Sequence, residues 1–313
     1  MSIQVHVKDL PEHGVTIIAS SDPTFDQRAS TFLKGQPQKI VERIKPFSVI
    51  VENTSGLAIV GSCLKWEILK TDGTVFRQPI GSANPRALMD GEPRSIQTSE
   101  GAAIPQGSTR FVSLLGSATQ GQQVDLNNSW LSFRGSQSEM EAFTNALLQG
   151  DREEAFNKSL IGRVMREATS ITVSIDVIFF EDGTFVGDDK NSFFDNVKAQ
   201  IDAEYDLVTE ISNAQKQRKS TDEIFKDVTD FLVAHTRTRS ESQLASRDPR
   251  KTIPESQALT SLASVQFSSD PYQNYKTLYA QQLMMMKEAL GAKQAIREAF
   301  KLLERPRIEL KRK

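Results

Sequence analysis

Residues 47–70 decide the fold: Phe47-Ser-Val-Ile-Val-Glu-Asn53, then Thr54-Ser55-Gly56, then Leu57-Ala-Ile-Val-Gly-Ser-Cys-Leu-Lys-Trp-Glu-Ile-Leu-Lys70. β-Branched and aromatic runs on either side of a Thr-Ser-Gly turn signal predict strand, tight turn and strand, a β-hairpin. Phe47, Val49 and Val51 alternate with Ser48, Ile50 and Glu52, the period of two expected of a sheet with one face in a core. In the second strand Leu64, Trp66 and Ile68 share a face. Trp66 is the large anchor of that core, since a tryptophan buries roughly 150 to 250 Å². Asp72-Gly73 predicts a two-residue turn into Val75 and Phe76, because Asp-Gly tolerates positive φ.

Upstream, residues 2–8 and 14–20 alternate or run apolar around Pro11-Glu12-His13-Gly14, which predicts a first hairpin. Residues 24–33 predict a short helix with Phe25, Ala29 and Phe32 on one side, closed by Gly35 and Pro37. Downstream, residues 78–105 are rich in Pro, Gly, Ser and Asn. Loops longer than about 12 to 15 residues are uncommon unless functional or disordered, so this one is a candidate binding loop by position. Residues 110–115 and 124–133 read as further strands, with Trp130 in the second. Ser138 with Glu141 and Asp151 with Glu154 have capping-box spacing and predict two helices separated by Gly150. Met140, Phe143 and Leu147 line the first, and Phe156, Leu160, Val164 and Met165 the second. The sheet resumes over residues 171–180 and turns at Asp182-Gly183 into Phe185 and Val186. Seven or more short strands punctuated by turn signals favour an antiparallel sandwich over a parallel sheet.

After Asp189 the period changes. Phe194, Val197, Ile201, Tyr205, Val208 and Ile211 follow helical spacing from about Ser192, and Ser220 with Glu223 caps a second helix bearing Ile224, Val228, Phe231, Leu232 and His235. Residues 236–269 are rich in Ser, Thr and Arg and read as a mobile linker with one short helix carrying Leu259, Leu262 and Val265. Asp270-Pro271 starts a last helix that runs to Pro306, about 34 residues and roughly 50 Å at 1.5 Å per residue. Tyr275, Leu278, Gln282, Met285, Ala289, Ala292, Ile296, Ala299 and Leu303 form an unbroken seam on it that wants a partner helix, either residues 193–219 folded back or the same helix of a second subunit. Tyr275, Leu278, Met285, Ile296 and Leu303 are therefore the candidate interaction residues.

The Val51-Glu-Asn-Thr-Ser55 strand before a Trp-bearing strand, the Ala87-Leu-Met-Asp-Gly91 loop, the Phe180-Glu-Asp-Gly-Thr-Phe-Val-Gly-Asp188 hairpin and the Phe193-Phe-Asp-Asn-Val-Lys-Ala-Gln-Ile-Asp-Ala-Glu204 helix together resemble an uncharacterised group of bacterial proteins. The resemblance covers about residues 45 to 215. It implies an immunoglobulin-like β-sandwich followed by helices and carries no activity. The expected fold is thus α+β. Residues 1–190 form an antiparallel immunoglobulin-like sandwich with inserted covering helices at about 136–168. Residues 191–313 form a helical hairpin or coiled-coil-like segment with the linker at about 236–269.

At 313 residues two domains are expected. The 38 basic and 40 acidic side chains nearly cancel, so no global field draws the chain to nucleic acid or an anionic bilayer. Cys63 is the only cysteine, which excludes an intrachain disulfide, and its place in an apolar strand makes it a small core residue. The N-terminal residues lack the pattern of a signal peptide and no run approaches 18 apolar residues, so the default expectation is a soluble, cytoplasmic chain.

Chemistry-bearing motifs are sparse. His6, His13 and His235 are the only histidines, and there is no His-Glu-x-x-His, Gly-x-Ser-x-Gly or Gly-x-Gly. His235 is expected to end its helix. The acidic cluster Glu181, Asp182, Asp188 and Asp189 is the best metal candidate, although Asp182 suits a turn and Asp188 and Asp189 a helix start. Basic stretches at residues 237–251 and in the tail Arg305-Pro-Arg-Ile-Glu-Leu-Lys-Arg-Lys313 lack the aromatic interleaving of a single-strand binder and read as solvated. No catalytic, cofactor or metal residue is expected. The sequence favours a non-enzymatic binding or scaffolding protein that engages a protein partner or itself through the last helix, with nucleic-acid binding through the basic tail at residues 305–313 as the least favoured reading. The alternative is a hydrolase or metal-dependent enzyme between the 78–105 loop and the 181–189 hairpin, which requires Asp90, Glu92, Asp182 and Asp188 to converge.

Overall fold

The computed structural model describes residues 3–36, 38–83, 103–124, 137–150, 152–244, 270–304 and 309–313. In chain order these form β1 (Gln4–Lys8), β2 (Val15–Ala19), α1 (Phe25–Ala29), α2 (Gln38–Ile44), β3 (Ser48–Asn53), β4 (Ile59–Lys70) and β5 (Val75–Ala83). Then come β6 (Thr109–Ser113), β7 (Gly116–Thr119), α3 (Gln137–Leu148), α4 (Arg152–Lys158), α5 (Leu160–Glu167), β8 (Ala168–Phe180) and β9 (Thr184–Val186). Helices α6 (Phe193–Lys216), α7 (Thr221–Leu244), α8 (Pro271–Leu290) and α9 (Ala292–Phe300) follow, and β10 (Lys311–Arg312) closes the order. The chain divides into one unit of Met1–Phe193 with Ile308–Lys313 and a second of Phe194–Arg307. The end of the segment read from the sequence as helical, residues 191–313, therefore returns to the sheet unit, and the helices are an insertion between β9 and β10.

The fold is α+β, with two sheets among the described residues. One runs β10-β9-β8-β4-β5, with β1 also on β8; the other runs β2-β3-β6-β7. The second sheet is wholly antiparallel, whereas β1 on β8 and β10 on β9 are parallel pairs that make the first sheet mixed. A single apolar cluster draws on both sheets, including Ile50 and Phe111 from one and Leu64, Trp66, Ile68, Ile171 and Val173 from the other. On β4 the inward Leu64, Trp66 and Ile68 are fully buried as expected, while Lys65 and Glu67 on the opposite face form an ion pair at 3.1 Å.

The stretch at 47–70 is not a hairpin. β3 pairs with β2 and β6, and β4 pairs with β5 and β8, so its two strands lie in different sheets. The residues between them form a corner organised by Asn53, which is fully buried. Its Nδ2 donates to the carbonyls of Leu57 (2.9 Å), Ile104 (2.8 Å) and Pro105 (3.2 Å), and its Oδ1 accepts from the Ser55 N–H (3.1 Å) and hydroxyl (2.6 Å). These bonds replace the ladder a hairpin would have supplied. β3 is also not half-exposed, because Val49, Ile50 and Val51 are all buried.

The predicted first hairpin departs in the same way. β1 joins the six-stranded sheet and β2 the four-stranded one, leaving only the Leu10–Val15 bridge between them. The two corners are stitched together where the Thr54 N–H donates to the Gly14 carbonyl at 2.7 Å. Gly14 sits at φ +71° with Ser55 N only 2.6 Å from where a Cβ would be, so a side chain is excluded twice over.

The Asp-Gly turns hold. At the first, Lys70 N donates to Thr74 O at 2.9 Å around a three-residue loop rather than the expected two, with Gly73 at φ +79° and the Asp72 carboxylate accepting from the Thr74 N–H and hydroxyl. Asp182, Gly183 and Thr184 repeat these contacts between β8 and β9. Phe25, Ala29 and Phe32 are buried together as predicted, and Phe32 stacks on Phe111. The helix expected from Asp151 is interrupted at Ser159, whose buried hydroxyl caps α5 by accepting from Gly162 N at 3.0 Å. The 84–102 part of the candidate loop, Trp130 with the 125–133 strand, and Asp151 lie outside the described residues, as do the side chains of Met140, Phe143 and Leu147.

In the helical unit the predicted starts are present. Ser220 and Glu223 form a reciprocal capping box, and Asp270 caps α8 by accepting from Tyr272 N at 3.0 Å with Pro271 in the first turn. Two expectations change. α7 continues to Leu244, into the segment read as linker, whose remaining residues 245–269 are outside the description. The last helix is not continuous to Pro306: it breaks at Gly291, whose φ of +83° and ψ of +153° are open to glycine alone. No helix among the described residues is long and apolar enough to cross a membrane.

Candidate functional site

Of the candidate interaction residues, Tyr275, Leu278 and Met285 lie on α8 and Ile296 on α9, whereas Leu303 falls in the turn after α9 ends at Phe300; the way these helices pack decides which can meet a partner. Ala203, Leu207 and Ile211 of α6, Ile224, Phe225 and Val228 of α7, Tyr279, Ala280 and Leu283 of α8, and Ala295 and Ile296 of α9 form one buried cluster. The seam therefore finds its partner helices within the chain, and its buried line on α8 runs through Tyr279 and Leu283.

A cationic contact pins this core. Lys276, only 9% exposed, directs Nζ to Glu210 Oε1 of α6 at 2.6 Å and sits 5.4 Å from the Phe231 ring of α7 and 5.9 Å from the Tyr272 ring. One ammonium thus touches three helices. The Tyr272 hydroxyl donates to Asp206 Oδ2 at 2.9 Å; its burial and then that carboxylate push its pKa to about 12. The Tyr275 hydroxyl donates to Asn196 Oδ1 at 2.5 Å, and burial raises its pKa.

The five candidate residues consequently separate. Ile296 is in the core, and Tyr275 packs partly against it. Leu278 is 42% exposed, Met285 65% and Leu303 37%. Leu278 and Met285 are two turns apart on the outward face of α8, about 10 Å along the axis. Met284 and Met286 pack against the helical core. The break at Gly291 is why a spacing that runs unbroken through the sequence does not become one stripe: the phase of α9 is set independently of α8.

A cleft of about 630 Å³ opens beside the same break. The first turns of α7 and α9 both border it, with Lys293 and Arg297 from α9 and Asp222 from α7 at its wall. His235 is not at a helix end, since α7 runs on to Leu244; its Nδ1 lies 2.8 Å from the Phe231 carbonyl.

The acidic hairpin is engaged in structural contacts. Glu181 accepts from Ala58 N at 2.9 Å, Asp182 holds its turn, Asp188 pairs with Lys190 at 2.8 Å and Asp189 caps Phe193 N at 2.7 Å. Beneath them the buried Asp176 carboxylate accepts from Lys190 N, Asn191 N and the Asn191 side chain, a role the sequence did not signal. Burial, followed by the charges of Asp176 and Asp189, pushes the Cys63 thiol to about 12. Among the described residues no group of three or more His, Cys, Asp or Glu is placed to hold a metal ion. Asp90 and Glu92, which the enzymatic alternative needs beside Asp182 and Asp188, lie outside the described residues.

Comparison with known proteins finds no matching family model, no matching curated protein and no matching solved structure.

Proposed function

We propose that this chain is a non-enzymatic binding or scaffolding protein that acts through protein–protein contacts, with the outward face of α8 as its docking element. One observation carries the reading: Leu278 and Met285 remain exposed on a helix whose opposite face already closes the helical core. A large apolar side chain such as Met285 loses roughly 1.5 to 3 kcal/mol of burial by standing in water, and flexible methionine suits a surface that accepts a partner. The sheet unit serves in this reading as an immunoglobulin-like sandwich, supported by two sheets sharing one apolar cluster and by strands that switch sheet at the Asn53 and Gly14 corners. The parallel pairs of β1 and β10 are additions to that plan.

The test is light-scattering mass of the full chain beside Met285→Glu and Leu278→Glu, with capture of partners from lysate on both. Association or partner retention by the parent that both variants lose supports the reading. A parent that is monomeric and retains nothing, or variants that behave as the parent does, overturns it.

A further inference from the structure

Three consecutive methionines on α8 divide into two environments. Met284 and Met286 are partly buried against the helical core, and the Met284 sulfur lies 3.9 Å from the Thr229 hydroxyl of α7. Met285 between them is 65% exposed. The remaining described sulfur atoms are shut away: Met165 and Cys63 are buried, and burial pushes the Cys63 thiol up to about 12. Among the described side chains, one sulfur therefore stands open to water, and it stands on the face proposed for docking.

Its surroundings make the chemical state of that sulfur matter. Leu278, Gln281, Met285 and Ala289 follow one another at three- and four-residue steps, and no charged residue occurs between Lys276 and Lys287. The exposed residues of α7, by contrast, include Asp222, Glu223, Lys226, Asp227 and Asp230. With no charge along this stripe, what binds it is held by apolar contact, and Met285 is the most exposed large apolar side chain of α8. A thioether is buried there as a hydrophobe. A sulfoxide in its place brings a strong acceptor oxygen that an apolar partner surface leaves unpaired.

We propose that Met285 is an oxidation site, and that conversion of its thioether to the sulfoxide by a peroxide releases the partner from the α8 face. The inference rests on the docking reading of that face. In the reaction the Met285 sulfur takes one oxygen from hydrogen peroxide. An S–O bond forms, the O–O bond breaks, sulfur gives up two electrons, and the second oxygen leaves as water with both protons. A methionine sulfoxide reductase reverses the change at the expense of two thiols, which become a disulfide while the oxygen leaves as water.

The test treats the full chain with dilute hydrogen peroxide and follows Met165, Met284, Met285 and Met286 separately by fragment mass spectrometry. Met285 is expected to gain its oxygen about tenfold faster than the other three, with the far-UV spectrum unchanged, because susceptibility follows exposure. A Met284 or Met286 that oxidises as fast as Met285 overturns the proposal. Samples in which Met285 leads are then compared with their untreated counterparts by light-scattering mass and by the protein that the immobilised chain retains from lysate. Docking is expected to weaken about tenfold on oxidation and to return with the reductase. Peroxide should change nothing in Met285→Leu relative to its own untreated sample, whereas the Met284→Leu/Met286→Leu double variant should lose docking as the parent does. A parent whose docking survives oxidation of Met285, or a Met285→Leu chain that loses it equally, overturns this proposal and leaves the α8 face as the docking element. A parent that neither associates nor retains protein before peroxide brings down the docking reading, and this inference with it.

Discussion

Replacing Asn53 should unfold the corner on which both sheets depend. The two Nδ2 hydrogens serve the Ile104 and Leu57 carbonyls at 2.8 and 2.9 Å, with the Pro105 carbonyl at 3.2 Å as a weaker third, and Oδ1 takes both donors of Ser55. In Asn53→Leu these bonds vanish at nearly constant volume. The Ile104 carbonyl retains Ile59 N at 3.0 Å and the Leu57 carbonyl retains the Ser55 hydroxyl at 2.9 Å, so neither is orphaned, whereas the Ser55 amide loses its acceptor. The two Nδ2 bonds and the Ser55 amide bond, at a net ~1 kcal/mol each, put the loss at about 3 kcal/mol, while the single Ser55 hydroxyl hydrogen passes from Oδ1 to the Leu57 carbonyl.

Asn53→Asp should cost more at neutral pH, because it places a buried carboxylate against carbonyl oxygens. Its folded pKa must rise above the unfolded value of about 3.9, so the penalty is full above the folded pKa and is relieved as pH falls through it toward the unfolded value. Urea unfolding followed by tryptophan fluorescence measures this in the sheet unit alone, since the only two tryptophans, Trp66 and Trp130, belong to it. An Asn53→Leu loss below about 1 kcal/mol at unchanged m-value would refute the assignment of the corner to these bonds. So would an Asn53→Asp stability that parallels Asn53→Leu from pH 8 to pH 5.

Further substitutions test other parts. Gly162→Ala should destabilise the sheet unit by more than about 3 kcal/mol in the same assay, because its Cβ would fall 2.0 Å from the Phe156 carbonyl oxygen, a backbone atom. Gly291→Ala meets no atom within 4 Å, so its expected cost, about 1 to 3 kcal/mol in thermal unfolding followed by circular dichroism, is backbone strain alone; an unchanged melting temperature would contradict the break in the last helix. The Cys63 thiol should resist a disulfide reagent at pH 8 in the folded chain and react at once in denaturant. With a folded pKa of about 12 above the ordinary 9.0, its contribution to stability is complete below pH 9 and is lost as pH rises toward 12.

The parts legible in the sequence are those set by neighbours in the chain. The Asp-Gly turns, the Ser220–Glu223 box, the Asp270-Pro271 start and the buried Leu64, Trp66 and Ile68 face each follow from contacts within a few residues. The candidate site was legible only in part. Its helices were named, but Leu278 and Met285 could be told from the buried Tyr279 and Leu283 only by packing, because a three-four spacing fits two neighbouring stripes of one helix equally well. The acidic hairpin and the basic tail were each visible as charge, yet nothing local said that more than a hundred residues of chain would bring Arg312 to Gly187.

The sequence alone determined the Asp-Gly turns, the helix starts at Ser220 and Asp270 and the burial of Leu64, Trp66 and Ile68, since those depend on side-chain chemistry and backbone preferences over one or two turns. Tertiary structure alone decided that β3 and β4 part into different sheets. A Thr-Ser-Gly turn permits either outcome, and the choice rests on Asn53 finding the Ile104 and Pro105 carbonyls, which are distant in sequence and close only once both sheets have formed.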